Sequence, residues 1–299
     1  MYRYKDLVVA LGLDARDETL VRYAELVAFM ARSEHVQFVH VYPDASVFRE
    51  MYPEDLRPLP DPVEGFREHL AATVERFEGP TGTSVEPALV QGGPLMELLR
   101  MAKAEDADLV MAGRDAGGGT LAEKLCRKAP CSVMVVPPDG PGSIERVVVP
   151  IDLSGPAADA ADVAVAFAEA ARLEEVHFLH VYTIPPSYLK LGRDRAEAAE
   201  AMRRHASERL EAFVGDLSLR GLRPVFHVAE GDDVADTIVD QATAVGADLV
   251  VIGTRGRSAA AAVLMGSVAE RVVRQAPVPV VAVKRKGATL GLLDALFEL

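Results

Sequence analysis

The sequence repeats itself once, and this internal repeat constrains the fold more than any other feature of the chain. Phe38-Val-His-Val-Tyr resembles Phe178-Leu-His-Val-Tyr, 140 residues further on. Ala107-Asp-Leu-Val returns at Ala247 with the same separation of 140 residues. A tandem duplication builds the same arrangement of secondary structure twice, so whatever fold the first half adopts, the second half must adopt as well.

Each half alternates short apolar runs, typical of strands buried on both faces, with longer segments of helical periodicity. The strand patterns cover residues 7–11, 36–41, 85–90, 108–112 and 132–136, and then 147–151, 176–181, 225–228, 249–252 and 278–283. Strands that alternate with helices indicate a parallel sheet with helices on both faces. We therefore expect an α/β fold of two tandem doubly wound domains, each a five-stranded parallel sheet of order 3-2-1-4-5 flanked by helices.

A turn-rich segment at 137–143 separates the two halves. We accordingly predict one domain at 1–138, a second at 144–286, and a C-terminal tail at 287–299. The tail has the pattern of a short amphipathic helix without a basic face, so we expect it to dock on its own domain rather than on a membrane.

Length, charge and cysteine content restrict the class of protein. The 299 residues suffice for two domains, and the formal net charge of −13 argues against binding to nucleic acid. Only two cysteines are present, so no disulfide framework is expected. The chain has neither a signal-peptide pattern nor an apolar run long enough to span a bilayer. These features predict a cytoplasmic protein.

The segment that joins the fourth strand to the last helix of the second half has glycines at a spacing suited to an anion. Gly253 ends the strand, Gly256 follows, and Gly266 with Ser267 opens a helical pattern. Such a loop offers unpaired backbone N–H groups and the positive end of a helix dipole to a phosphate. The same residues also fit a plain turn, and Ser267 with Glu270 matches a capping box. Spacing alone leaves both interpretations open.

The corresponding loop of the first half is shorter. The Ala-Pro pairs that precede the last strands are 147 residues apart, so seven residues are missing from the first copy. Gly119 and Thr120 keep the helix start, and Thr120 with Glu123 keeps the capping pattern, but Ala116 replaces the second glycine. The copy with the long loop is therefore the better candidate for phosphate binding.

Ligands of open α/β sheets bind beyond the carboxyl ends of the strands, where the strand order reverses. In the second half this edge should bring Asp152, after the first strand, close to Gly253. A carboxylate there suits a ribose hydroxyl or a base amine, while Arg255 and Arg257 could add positive charge beside the phosphates. Gly12 occupies the matching position of the first half, so we expect that half to be a structural partner.

These motifs resemble those of the universal stress protein family, in a tandem two-domain arrangement. The second half has the ATP-binding pattern of that family, Gly-x2-Gly-x9-Gly-Ser, from Gly253 to Ser267 without a gap. It also has a first strand that ends in Pro150-Ile-Asp152, His-Val at 180–181, and Ala-Pro-x-Pro-Val-x-x-Val from Ala276. The resemblance is good over 146–284 and weak over 1–137.

The resemblance implies that the second domain binds ATP, often with Mg²⁺. Asp152 would hold the ribose or adenine, Val181 would contact the adenine through its backbone, and the glycine loop would enclose the triphosphate. The implied nucleotide-binding residues are Pro150, Asp152, Val181, Gly253, Gly256, Arg257, Gly266, Ser267 and Val268. Members of the family commonly pair through the last strand. We therefore expect 133–136 and 280–283 to pair within one molecule, and homodimerisation is a further possibility.

Other chemistry-bearing patterns are absent from the sequence. We find no metal-ligand spacing and no nucleophile elbow, so we assign neither a metal site nor a catalytic residue. His40 and His180 end the second strand of each half, where packing or capping is the expected role.

Three functions follow from these features. The first is a stress protein in which bound ATP acts as a signal that biases conformation or partner binding. The second is slow ATP hydrolysis or self-phosphorylation on Ser258, Ser267 or Thr254. The third is a scaffold that binds no nucleotide. The sequence identifies no protein partner.

Overall fold

The computed structural model describes residues 3–44, 62–114, 120–184, 194–255 and 265–287, which form two compact units. The first unit extends to Pro138 and also includes Lys286 and Gly287, and the second is Asp139–Arg285. Lys286 Nζ lies 2.9 Å from a carboxylate oxygen of Asp106 and 2.9 Å from one of Asp108, both in the first unit.

The first unit contains a five-stranded parallel sheet of order β3-β2-β1-β4-β5. Its strands and helices, in chain order, are β1 (Asp6–Ala10), α1 (Asp17–Ala31), β2 (His35–Tyr42), α2 (Pro62–Arg76), β3 (Ser84–Gln91), α3 (Pro94–Ala104), β4 (Leu109–Gly113), α4 (Thr120–Lys128) and β5 (Ser132–Val136).

The second unit repeats this arrangement, with a parallel sheet of order β10-β9-β6-β7-β8. Its elements are β6 (Val147–Pro150), α5 (Gly155–Ala170), β7 (Glu175–Tyr182), α6 (Arg195–Gly215), β8 (Arg223–Glu230), α7 (Val234–Ala244), β9 (Leu249–Gly253), α8 (Ser267–Gln275) and β10 (Val280–Val283). In both units the order is 3-2-1-4-5, so the predicted fold class is confirmed.

Strands with continuous apolar runs are buried on both faces, as their sequence pattern predicts. Every residue of β5, β6 and β10 is buried, whereas the edge strands β3 and β8 have no buried residue. Burying an apolar side chain such as Phe178, which has no exposed surface, stabilises a fold by roughly 2 kcal/mol. The core of each unit therefore lies away from the exposed edge that β3 or β8 forms.

Element boundaries differ from the sequence patterns where proline or polar residues intervene. The strand expected at 278–283 begins at Val280, because Pro279 has no N–H to donate to a neighbouring strand. The strand expected at 225–228 extends to Arg223–Glu230, because an edge strand tolerates polar residues that hide its pattern. The charge-rich segment at 194–219 has helical spacing throughout, but its helix ends at Gly215. Within the described residues, no helix is both long and apolar enough to cross a membrane.

Candidate functional site

A cavity of about 590 Å³ opens at the carboxyl end of the sheet in the second unit. The chain leaves the neighbouring strands β6 and β9 towards different helices, and this divergence creates a crevice between their ends. Helices α5, α6, α7 and α8 each contribute residues to its wall. A volume of this size lies within the usual range for small-molecule sites, roughly 300–1,000 Å³.

The cavity brings together most of the nucleotide-binding residues that the sequence predicts. Gly256 and Arg257 lie outside the described residues, and the other seven line this one cavity. These seven are Pro150, Asp152, Val181, Gly253, Gly266, Ser267 and Val268. They come from the ends of three strands and the start of one helix, so the fold gathers residues that are far apart in sequence.

Asp152 is held in place by the turn that follows β6. Its Oδ1 accepts hydrogen bonds from the backbone N–H of Ser154 at 3.1 Å and from the Ser154 hydroxyl at 2.5 Å. The Ser154 Oγ in turn accepts the N–H of Ala157 and caps α5. This turn places Leu153 at a φ of 65°, and Leu13 has a φ of 58° at the matching position of the first unit. Because both units keep the strained residue, the turn belongs to the fold rather than to a ligand.

Gly253 is required by packing within the protein. A Cβ atom at this position would lie 2.8 Å from the carbonyl oxygen of Pro156 and 3.0 Å from its carbonyl carbon. The first turn of α5 thus rests directly on the end of β9, at a distance that only glycine permits. At the matching Gly113 of the first unit, a Cβ would meet no atom of the described residues within 4 Å. Phosphate contact is therefore not needed to explain this glycine.

Gly266 has a different environment. Among the described residues, a Cβ atom there would meet only the Thr254 carbonyl oxygen, at 3.7 Å, which is an ordinary contact. Its φ of −66° and ψ of 144° suit any residue. No described atom excludes a side chain at this position, and the absent side chain leaves space at the cavity.

The start of α8 differs from the predicted capping box. Gly266 is the N-cap and makes no side-chain capping bond, and Ser267 is the first helical residue. Capping by a serine hydroxyl needs the non-helical backbone of the N-cap position, so the prediction for Ser267 and Glu270 is wrong. The matching side chain of Thr120 lies outside the described residues.

The first turn of α8 provides the donors of the site. The N–H groups of Ser267, Val268 and Ala269 have no acceptor within the helix, and all three residues line the cavity. The N–H of Gly266 is not available, because it donates to the Thr254 carbonyl oxygen at 2.8 Å. With the helix dipole, this turn favours an anion in the cavity.

Thr254 fixes both ends of the glycine loop. Its side chain is buried, and its hydroxyl donates to the carbonyl oxygen of Val283 at 3.2 Å, at the end of β10. Its own carbonyl oxygen accepts the N–H of Gly266. Thr254 therefore anchors the loop at the sheet, a role that the sequence analysis did not assign to it.

His180 and His40 make the same contact in the two units. The Nδ1 of His180 lies 2.6 Å from the carbonyl oxygen of Ile151, and the Nδ1 of His40 lies 2.9 Å from that of Leu11. A carbonyl can only accept, so each Nδ1 carries its proton and ties the second strand to the end of the first. Among the described residues, no group of three His, Cys, Asp or Glu side chains could hold a metal ion.

The sequence analysis missed the wall that α6 and α7 provide. Met202 and Arg209 of α6 and Ile238 of α7 line the cavity, together with Tyr182 at the end of β7. Burial raises the pKa of the Tyr182 hydroxyl, and the nearby Glu230 raises it further. The many charged residues of α6 are typical of a solvated helix, but one side of this helix is buried. The spacing of seven residues between Met202 and Arg209, two helical turns, was the available signal.

In the first unit, the turn after β1 corresponds to the turn that holds Asp152 in the second unit. A carboxylate of the chain itself occupies the backbone N–H groups of this turn. Asp17 accepts hydrogen bonds from the N–H of Gly12 at 3.0 Å and of Leu13 at 2.7 Å. Asp14 lies beside it and pairs with Arg16 at 2.5 Å. Burial raises the pKa of the Asp17 carboxyl. Two acidic side chains at this edge disfavour a phosphate.

Comparison with known proteins identifies the same family in both halves. The model of the universal stress protein family matches residues 3–137 and again 143–284. Universal stress protein G of Shigella flexneri is 34% identical over 145 residues, which are 47% of this chain and 99% of that protein. A universal stress protein of Methanocaldococcus jannaschii is 30% identical over 148 residues, 49% of this chain and 86% of that protein.

Solved structures match the chain over almost its full length. A protein of unknown function from Pseudomonas aeruginosa has a TM-score of 0.67 at 18% identity, and the match covers 99% of this chain and 98% of that one. A universal stress protein from Archaeoglobus fulgidus has a TM-score of 0.63 at 19% identity, covering 94% and 96%. At these identities the structures share the fold alone. With its family domain present in each half, the chain belongs to the universal stress protein family.

Proposed function

We propose that this stress-response protein binds ATP in its second unit and that the bound nucleotide acts as a signal. The observation that carries the proposal is the convergence of seven predicted residues on one cavity of about 590 Å³. That convergence includes the start of α8, where backbone N–H groups and the helix dipole favour phosphate.

The geometry supports one orientation of the nucleotide. The triphosphate would lie against Ser267 and Val268, in the space that the absent side chain of Gly266 leaves. Asp152, fixed by its turn, would accept a hydrogen bond from a ribose hydroxyl or the adenine amine, and the backbone of Val181 would contact the base. Mg²⁺ would be held mainly by phosphate oxygens and water.

The first unit is, in this proposal, a structural or regulatory copy without ATP. Asp17 already occupies the N–H groups of Gly12 and Leu13, and no aspartate stands where the second unit has Asp152. A nucleotide entering there would have to displace an internal carboxylate and approach Asp14 as well. One nucleotide per chain is the expected stoichiometry.

Isothermal titration of the full chain with ATP tests this proposal. We expect one site per chain, strongly weakened by Gly266→Val, whose side chain would fill the phosphate end of the cavity. Gly113→Val in the first unit is the matched control, because a Cβ there meets no atom of the described part of the chain within 4 Å. Two equivalent sites, no binding by the unaltered protein, or equal loss in both variants would contradict the proposal.

Self-phosphorylation is the rival function with an acceptor in the cavity. The hydroxyl of Thr254 is buried and already donates to Val283, and Ser258 lies outside the described residues. Ser267 is exposed and lines the cavity, so it is the acceptor that the geometry favours. Incubation with ATP labelled at the γ-phosphate, followed by peptide mapping, would place label on Ser267 if this rival is correct.

Three further expectations, two from the family resemblance and the last from the composition and the lack of targeting patterns, are kept as proposals. They are pairing of 133–136 with 280–283 within one molecule, homodimerisation, and a cytoplasmic location. Sedimentation analysis at several protein concentrations, with and without ATP, would separate a monomer from a dimer.

A further inference from the structure

His177 on β7 and His227 on β8 form a close pair away from the cavity. His177 Nδ1 lies 2.9 Å from His227 Nε2, and the two rings are nearly parallel, with 9° between their planes. The strand register places His227 opposite Leu179, so the two histidines are diagonal neighbours on one face of the sheet. His177 is buried, with 6% of its surface exposed.

Glu175 fixes which nitrogens carry protons. His177 Nε2 lies 3.1 Å from Glu175 Oε1, and the other oxygen of this carboxylate pairs with Arg223. An ionised carboxylate can only accept, so His177 carries its proton on Nε2. Its Nδ1 is then the acceptor, and His227 donates its Nε2–H to it. The neutral pair thus forms a directed chain from His227 through His177 to Glu175.

This chain can take up one proton without breaking. The first proton goes to Nδ1 of His227, and both hydrogen bonds remain. A second proton must go to Nδ1 of His177, where it would face the N–H of His227 across 2.9 Å. We propose that this histidine pair is an acid-responsive element of the second unit, in which the second proton breaks the pair and loosens β8 from β7.

Charged groups on the neighbouring strands act on the protonation of the two rings. Glu175 on β7 favours protonation of both rings, Arg146 before β6 disfavours it for both, and Arg223 on β8 disfavours it for His177. Side chains alternate along β7, so His177 and Tyr182 lie on opposite faces of the sheet. Tyr182 contacts α6, and α7 therefore covers the face that carries the two histidines.

Helix α7 adds two carboxylates. Of these, Asp236 is bound to Arg271, and Asp240 is exposed. Neither acts on the rings as Glu175 does. The pair therefore has one close carboxylate and two opposing guanidinium groups.

The direction of the pH effect follows from these groups. Burial lowers the pKa of both imidazoles, and the neighbouring ring of His177 lowers the pKa of His227 further. An unfolded histidine titrates near pH 6.5. Since the pKa values of the two imidazoles in the folded protein lie below this value, the pair contributes its full stabilisation above about pH 6.5. This contribution to the free energy of unfolding is lost as the pH falls below 6.5.

The pair has no counterpart in the first unit, and it is connected to the cavity. The matching register positions of β2 and β3 hold Gln37 and Ala88, neither of which titrates. Two residues beyond His177, Leu179 lines the cavity, as does Val181. Loosening of β8 would therefore reach the wall of the candidate site.

Hydrogen exchange of the full chain, read by mass spectrometry between pH 7 and pH 5 and corrected for intrinsic rates, tests this element. We expect protection of β8 to fall about tenfold relative to β3, the matching edge strand of the first unit, when the second proton binds. His227→Gln should abolish the difference, because an amide can donate to His177 or accept from it without titrating. His205→Gln, which alters an exposed histidine on α6, should leave the response unchanged.

Proton NMR titration of the unaltered protein provides a second reading that needs no variant. The ring protons of His177 and His227 should titrate below the ordinary imidazole pKa of about 6.5 and in two coupled steps. The proposal is overturned if both rings titrate independently at the ordinary value, or if His227→Gln retains the exchange response. Neither readout uses ATP, so failure of the nucleotide proposal would leave this result interpretable.

Discussion

Gly253 and Gly266 belong to the same glycine motif, but the reason for a glycine differs between the two positions. Gly253 meets the backbone of Pro156, which cannot move without displacing α5. Within the described segments, a Cβ at Gly266 would meet just the Thr254 carbonyl oxygen, at an ordinary 3.7 Å, and the residue lines the cavity. Spacing predicted both as parts of a phosphate loop, and it could not distinguish the two, because close approach of a distant helix is not encoded in local sequence.

We expect Gly253→Ala to lower the stability of the protein and Gly266→Ala to lower its affinity for ATP. Gly253→Ala forces a Cβ against the Pro156 carbonyl, and overpacking of this kind costs about 1–3 kcal/mol. Gly266→Ala should leave the melting temperature almost unchanged and weaken ATP binding. Thermal unfolding and titration of both variants provide the check. A stable Gly253→Ala protein would show that α5 can shift, contrary to the packing described here.

At the scale of elements, α7 and α8 are joined at the side of the cavity. The guanidinium of Arg271 on α8 lies 2.5 Å from Asp233, the N-cap of α7, and 2.6 Å from Asp236. Asp233 also accepts the N–H groups of Ala235 and Asp236. In the first unit the α3 N-cap is Gly93, without a side-chain capping bond. The connection is therefore a feature of the second copy.

Arg271→Ala should loosen the start of α8 and reduce ATP affinity more than it reduces stability. Its ion pairs are exposed, and such pairs contribute little to folding, but they hold two walls of the cavity together. Arg271→Lys should restore part of the affinity, since a point charge can meet one carboxylate but not both in a fork. Titration with ATP at low and high salt measures this. Unchanged affinity in Arg271→Ala would remove the positioning role.

At the scale of the whole molecule, the duplication has produced two units of one fold with different edges. In the second unit Asp152, the start of α8 and the open space at Gly266 surround a cavity. In the first, Asp17 closes the equivalent turn from within. Divergence after duplication is free to remove a ligand site, since the parallel sheet and its core depend on the strands rather than on the loops at their ends.

ATP should therefore stabilise one unit alone. A ligand at 100 times its dissociation constant stabilises the state that binds it by about 2.7 kcal/mol. Hydrogen exchange with and without ATP should show added protection within Asp139–Arg285 and none within residues 3–138. Equal protection of both units would indicate a second site or coupling between them, and would contradict a nucleotide-free first unit.

The sequence by itself determined the α/β class and the duplication, because buried parallel strands and helical faces leave periodic patterns that local sequence carries. The strand order and the convergence of Asp152 with the glycine loop were predicted from the usual topology of such sheets, and the family resemblance added Val181. Only the tertiary structure decided that Gly266 rather than Ser267 caps α8, that Pro156 requires Gly253, and that α6 completes the cavity wall. These outcomes depend on distances between segments far apart in the chain, and no local pattern of residues specifies such distances.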